Sequence, residues 1–351
     1  MMRDMAREES LHSINEASSN LPRRAFMAGL GIAGASFSTL LAACNESASQ
    51  TTGGVGNPPN VQRLKAAFTN DDLTNTWCAQ GKQVAEAWGR WFGVDITWYD
   101  GGGSVDQQIQ ALADIASKQW DFVAIQALGV DTLIDSVTQM INKGVSVIQM
   151  DTVIDSSNST NITTFLGADN VYMGEVSSTA LFEKMGGKGK VIMTEGPLSH
   201  TGAQGRTRGF YQALAKYPNI ELLEHAPADW DVKKVAQLWE NYLSEYQDIG
   251  GGFFHNDDMA LAAVQVIQKA KRSISVSGID AMPPAIQAVI DGTMVATVRN
   301  PSGRVHWGAL VMGILASTGV KNIPKYILAD GPVVTQENGP GLIFMEDQFL
   351  L

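Results

Sequence analysis

The sequence is poor in the residues on which several common function classes depend. Cysteine occurs twice in 351 residues, at Cys44 and Cys78, too few for a disulfide framework or a four-thiolate zinc site. Cations are in deficit, with 25 Lys and Arg against 36 Asp and Glu and a net charge of −11. No basic surplus is present to meet a phosphate backbone, so nucleic acid is not an expected partner. Only 17% of the residues are charged and 44% are hydrophobic, which excludes a disordered chain and leaves buried apolar area as the source of stability. At roughly one domain per 100 to 200 residues, the length implies two or three packed units.

Catalytic signatures are missing as well. No Gly-x-Ser-x-Gly elbow occurs, and His200, His225, His255 and His306 form no His-Glu-x-x-His spacing. The run His255-Asn256-Asp257-Asp258 carries ligand-type side chains, but adjacent residues after a strand point in different directions. Neither a metal nor another cofactor is expected, and no catalytic residue is assigned.

The first 43 residues read as an address. Arg23-Arg24 precede a weakly apolar stretch, Ala25 to Ala43, rich in Gly, Ala and Ser. With Ala25 and Phe26 this resembles a twin-arginine signal, although Pro22 and Ala28 replace the usual Ser or Thr and Lys. Leu41-Ala42-Ala43-Cys44 resembles a bacterial lipobox, which implies that the Cys44 thiol is lipidated and that the chain meets a membrane through that anchor alone. A spanning helix is the alternative, but roughly 20 consecutive apolar residues are needed and this stretch is diluted by Gly and Ser. Residues 44 to 60 are rich in Ser, Thr, Gly and Pro and read as a flexible tether. Removing residues 1 to 43 takes away four basic and four acidic residues, so the charge stays at −11.

From Val61 onward, short apolar runs alternate with segments of helical period, the pattern of parallel sheets covered by helices. Strands are predicted at Val61 to Phe68, Val94 to Tyr99, Phe122 to Gln126, Val145 to Met150, Gly189 to Glu195, Ile220 to His225, Gly251 to His255 and Ser275 to Ile279. Asn75 is placed to cap a helix whose stripe includes Trp77, Val84, Trp88 and Trp91, with Trp88 and Trp91 expected in the core. A second helix repeats Val105, Ile109, Leu112 and Ala116.

Ligands of such sheets bind beyond the carboxyl ends of the strands. Asp151, Asn256 and Asp280 stand at those ends, and Arg206 follows another. Carboxylates accept, a guanidinium donates through a planar fork and an amide does both, a set suited to hydroxyl groups. Trp77 and Trp230 are placed to stack on the C–H faces of a sugar ring. Each polar residue alone serves equally well as a helix cap, turn residue or solvated charge, so the argument rests on their convergence. Arg206 is expected to keep Asp151 and Asp280 ionised, which favours holding hydroxyls over the proton donation a glycosidase needs. Cys78 is read as a buried or partly exposed free thiol, with a ligand-lining place as the alternative.

These residues resemble the type I periplasmic binding proteins of ribose and related monosaccharides, which serve ABC transporters. The resemblance spans Val61 to about Val334. It is carried by GGKGKVIMTEG (186–196), RTRGF (206–210), FFHNDDMAL (253–261), GIDAMPPAI (278–286) and DGTMVATV (291–298). It implies an α/β fold of two similar three-layer domains with mostly parallel sheets, hinged by three crossings near Gly167, Asn300 and Leu328. The expected lobes are 61–166 with 301–326, and 167–300 with 327–351. It also implies that Asp151, Arg206, Asn256, Asp280 and Asn300 hydrogen-bond a sugar held between Trp77 and Trp230. Two places depart from the ribose binders: Asn75-Thr76-Trp77-Cys78 replaces Asn-Pro with two aromatics, and Thr152 replaces an arginine, so the sugar stays unnamed.

The implied role is a monomeric, lipid-anchored extracytoplasmic receptor that delivers a pentose or hexose to a permease. A sensory protein for a sugar alcohol, inositol or other small polar ligand is the alternative, and a secreted glycoside-active enzyme a remote one. A sugar-responsive transcription regulator is disfavoured by the export signal and by the lack of a DNA-binding helix pair before Val61. Leu342, Ile343 and Phe344 in the tail 339–351 are expected to pack on the body.

Overall fold

The computed structural model describes residues 63–343. The expected signal and tether, the expected lipidation site Cys44, and Phe344 lie outside them. The first strands are β1 (Leu64–Asn70), β2 (Val94–Asp100), β3 (Phe122–Ile125), β4 (Ser146–Met150) and β5 (Thr164–Gly167). Helices α1 (Thr76–Phe92), α2 (Val105–Ser117) and α3 (Ile134–Asn142) join the first four. The chain continues through α4 (Asn170–Lys184), β6 (Lys188–Glu195), α5 (Thr201–Leu214), β7 (Asn219–Pro227), α6 (Val232–Glu245), β8 (Ile249–Phe254), α7 (Asp257–Lys269) and β9 (Ser275–Ser277). It ends with α8 (Pro283–Ile290), β10 (Thr297–Val298), α9 (Ser302–Ser317), β11 (Tyr326–Leu328) and β12 (Val333–Val334).

These strands build two parallel sheets, ordered β11-β5-β4-β3-β1-β2 and β7-β6-β8-β9, and a small antiparallel pair, β10-β12. Both large sheets are apolar on both faces because helices cover both. Phe68, Phe122, Ile148 and Leu310 pack on one face of the first sheet, and Leu112, Ile125, Val137 and Val147 on the other. Trp239, Phe254 and Ile286 line one face of the second sheet, and Phe182, Phe210 and Phe253 the opposite face. This is the expected α/β architecture with parallel sheets. Its chain path leaves the first sheet after Gly167, returns at α9 beyond Asn300, and leaves again after Leu328, whose strand pairs with β5 up to Gly167.

In each sheet the order reverses beside the first strand: β1 is flanked by β2 and β3, and β6 by β7 and β8. Such switch points open a crevice at the carboxyl ends of the strands. Two sequence expectations need correction. Trp91 is 81% exposed, because the buried face of α1 centres on Trp77, Cys78, Gly81, Val84, Ala85 and Gly89 and lies about 90° round the helix from it. Ile109 is exposed for a similar reason, at the edge of the buried stripe of α2 that holds Leu112, Ile115 and Ala116. Leu342 and Ile343 do pack on the core of the second sheet.

Candidate ligand site between the two sheets

Residues beyond the carboxyl ends of both sheets meet around one small cavity of about 30 Å³. Asp71, Asn75, Trp77, Cys78, Gln126 and Asp151 come from the first sheet's side, and His200, Arg206, Trp230, Asn256 and Asp280 from the second, with Asn300 at the crossing. The structure therefore brings together Trp77, Asp151, Arg206, Trp230, Asn256, Asp280 and Asn300, along with Asn75 and Cys78. Thr152 is left out: its hydroxyl accepts from the Ala127 N–H at 2.8 Å and braces the loop after β3. Asp71, Gln126 and His200 are additions that the sequence did not single out.

Arg206 is the fixed centre of the second wall. Its Nε donates to Asn170 Oδ1 at 2.9 Å, its Nη1 to the His255 carbonyl, and its Nη2 to Asp280 Oδ1 at 3.0 Å. The close approach of α4 and α5 holds it there. A side chain at Gly174 would meet the Arg206 backbone at 2.3 Å, so only glycine allows this packing. Trp230 packs closely on Gly196, where a Cβ would stand 2.1 Å from the indole, and Arg206 sits 5.8 Å from the ring centroid. The backbone at Asp151, Trp230 and Asp280 has φ of 57°, 62° and 120°. Such conformations cost of order 1 kcal/mol or more and concentrate where side chains must be aimed at a ligand.

Asn75 and Asn256 also satisfy the bland reading of their positions, since they cap α1 and α7. Their Oδ1 atoms accept from Cys78 N at 2.8 Å and Met259 N at 3.0 Å, which leaves the amide NH2 groups for the cavity. Asp151 accepts from Gln126 Nε2 at 3.1 Å and Asn300 Nδ2 at 3.2 Å. Trp77 donates its Nε1–H to the Asn300 carbonyl at 2.9 Å and packs 5.1 Å from the His306 ring. The Cys78 thiol is buried and bonded to Asp71 Oδ1 at 3.1 Å, and burial raises its pKa well above the ordinary value.

Burial dominates the protonation of this site. It lifts Asp280 to about 7, more than Arg206 can offset, so the expectation that Arg206 keeps this carboxyl ionised is corrected. Burial also lifts Asp71 to about 6 and lowers His200 to about 4. His200 Nδ1 accepts from the Ala203 N–H at 3.2 Å, so the neutral ring carries its proton on Nε2, 3.7 Å from Asp71 Oδ2. Among the described residues no set of three ligating side chains gathers to hold a metal. A larger groove, about 820 Å³, borders the cavity and shares Asp151 with it; Arg208 lines this groove instead.

The model of a periplasmic binding protein domain matches residues 66–319. The chain belongs to the periplasmic binding protein family. A xylitol-binding protein of Mycolicibacterium smegmatis is 24% identical over 80% of this chain and 79% of its own length. The D-allose-binding periplasmic protein of Escherichia coli is 29% identical over 69% of this chain and 82% of its own. A solved arabinose-transporter binding protein from Shewanella, bound to L-arabinofuranose, superposes with a TM-score of 0.76 at 23% identity, covering 81% of this chain and 96% of its own. For a periplasmic binding protein, the additions at Asp71 and Gln126 follow from the switch point, because they stand after the two strands on either side of it.

Proposed function

We propose that this protein is an extracytoplasmic receptor that captures a monosaccharide or related polyol between two lobes and presents it to an ABC transporter permease. The observation that carries this reading is the composition of the shared cavity: carboxylates, amides and a guanidinium from both walls face it together with the indoles of Trp77 and Trp230. Hydroxyl groups both donate and accept, and such a set meets them on every side. The relatives named for xylitol and D-allose support the same class.

The cavity of about 30 Å³ is smaller than a sugar ring, so ligand reaches it only when the walls part. The three crossings at Gly167, Asn300 and Leu328 are the proposed hinge, with lobes 61–166 plus 301–326 and 167–300 plus 327–351. Cys44 is the proposed lipid anchor. A thermal-shift screen of the purified protein against pentoses, hexoses, sugar alcohols and inositols tests the reading. A ligand at about 100 times its Kd adds about 2.7 kcal/mol, which raises Tm visibly. A folded protein freed of co-purified ligand that responds to no polyol would overturn it.

A further inference from the structure

The two walls differ in charge. On the second wall three of the five Arg206 N–H groups go to Asn170, His255 and Asp280, so the Asp280 carboxyl has a cation against it and two guanidinium N–H groups remain for a ligand. On the first wall Asp71 and Asp151 stand with Asn75, Trp77, Cys78 and Gln126, none of them cationic, and the His200 ring approaches Asp71 from across the cavity at 3.7 Å. Among the described residues no Lys or Arg pairs with either carboxylate, and the charged groups that act on Asp71 are Asp151 and Asp72, both acidic. The neighbouring histidines supply no cation either: burial lowers His200 and His306 to about 4 and holds His255 well below its ordinary value.

A second observation lies beside this pair. Asn300 is 2% exposed, its Nδ2 donates to Asp151 at 3.2 Å, and its Oδ1 has no partner. An unpaired buried acceptor costs about 1 to 3 kcal/mol unless something donates to it. The cavity thus presents three acceptors on one side, on Asp71, Asp151 and Asn300, with no cationic donor among them.

We infer that the ligand is a polyol bearing one protonated amine, seated with its ammonium group against Asp71, Asp151 and Asn300. The three N–H donors of an ammonium match these three acceptors and cancel the surplus charge of the wall. The hydroxyl-bearing remainder lies against Trp230, with Trp77 at the opposite edge of the cavity, and meets Arg206, Asn256 and Asp280. A neutral sugar offers the same hydrogen bonds without the charge. This inference rests on the polyol reading given above.

Calorimetry with matched pairs separates the two. The probes are xylitol with 1-amino-1-deoxyxylitol, myo-inositol with a monoaminodeoxy-inositol, and D-glucose with D-glucosamine. At least one amine is expected to bind ten-fold or more tighter than its neutral partner. In Asp71→Asn that ratio shrinks to about three-fold or less. Neutral polyols that bind as tightly as their amines, or more tightly, would overturn the amine inference and leave the polyol reading standing. Binding of no probe would overturn both, and the ratio in the unaltered protein decides the matter even if Asp71→Asn fails to fold.

Discussion

The two walls of the cleft use the same residue types to different ends. On the second wall Arg206 binds three partners at once, and Trp230 is half-buried above Gly196, free to present its face. On the first wall Trp77 is 5% exposed, its N–H is tied to Asn300 and its ring is packed into the core cluster of the first sheet. One indole is built into the fold and the other is held over the ligand space. A tryptophan at a strand end therefore does not announce its role; its hydrogen bond and its burial do.

The largest expected effect breaks this pairing directly. Trp77→Ala removes a buried indole from the core and is expected to lower unfolding free energy by about 3 to 5 kcal/mol. Trp230→Ala is expected to cost about 1 kcal/mol of stability and to act mainly on ligand affinity. Urea unfolding of both variants measures the difference. Equal losses would mean that the two indoles are equivalent and that the contrast between the walls is wrong.

Next in size is pH. Asp71 at about 6, Asp280 at about 7 and Asp257, well above its ordinary value, are raised by burial over the usual 3.8. Their contribution to stability is complete below about pH 4 and is lost as pH rises through the folded-state values. His200 and His306, lowered by burial to about 4, and His255, lowered further, behave oppositely: their contribution is complete above about pH 6.5 and is lost on acidification. Between those limits the two groups oppose each other. Above about pH 6.5 only the carboxyls remain, so stability is expected to fall by roughly 1 to 3 kcal/mol towards about pH 8. Asp280→Asn, on the second wall, should flatten that decline. Asp71→Asn, on the first, should change the slope only in the more acidic range. A urea midpoint that rises between about pH 6.5 and 8 would contradict this assignment.

Much of this arrangement was legible in the sequence, for a physical reason. Strands buried on both faces read as continuous apolar runs, so β4, β6 and β8 and the polar residues after them stood out. Gln126 was overlooked although it follows β3 as Asp151 follows β4, because it was counted as the strand's last residue. Asp71 sits in the polar run Thr69-Asn70-Asp71-Asp72, where only the turn after β1 decides which carboxylate faces inward. Strands β5, β10, β11 and β12 have two to four residues each, too few to show a period. Helix α4 buries Gly174, Ser177 and Ser178 along with its apolar residues, which blurs the stripe a sequence pattern needs. The left-handed backbone at Asp151 and Trp230 has no sequence signature at all.

The smallest expected effect joins the walls. At the start of α1, Thr76 donates its N–H and its Oγ1–H to the Asp258 carboxylate of α7, at 3.0 and 2.9 Å. Thr76 is exposed and Asp258 half-buried, so the contact is weak, and on the proposed hinge between the lobes it acts only when the walls are together. Thr76→Val keeps the N–H bond and the shape but removes the hydroxyl, a loss of about 1 kcal/mol in the joined form. Ligand affinity should therefore drop by about five-fold while the unfolding midpoint of the ligand-free protein stays nearly unchanged. A stability loss as large as the affinity loss would place this contact in the permanent framework of the fold, and the two walls would then be one rigid surface instead of two that meet around the ligand.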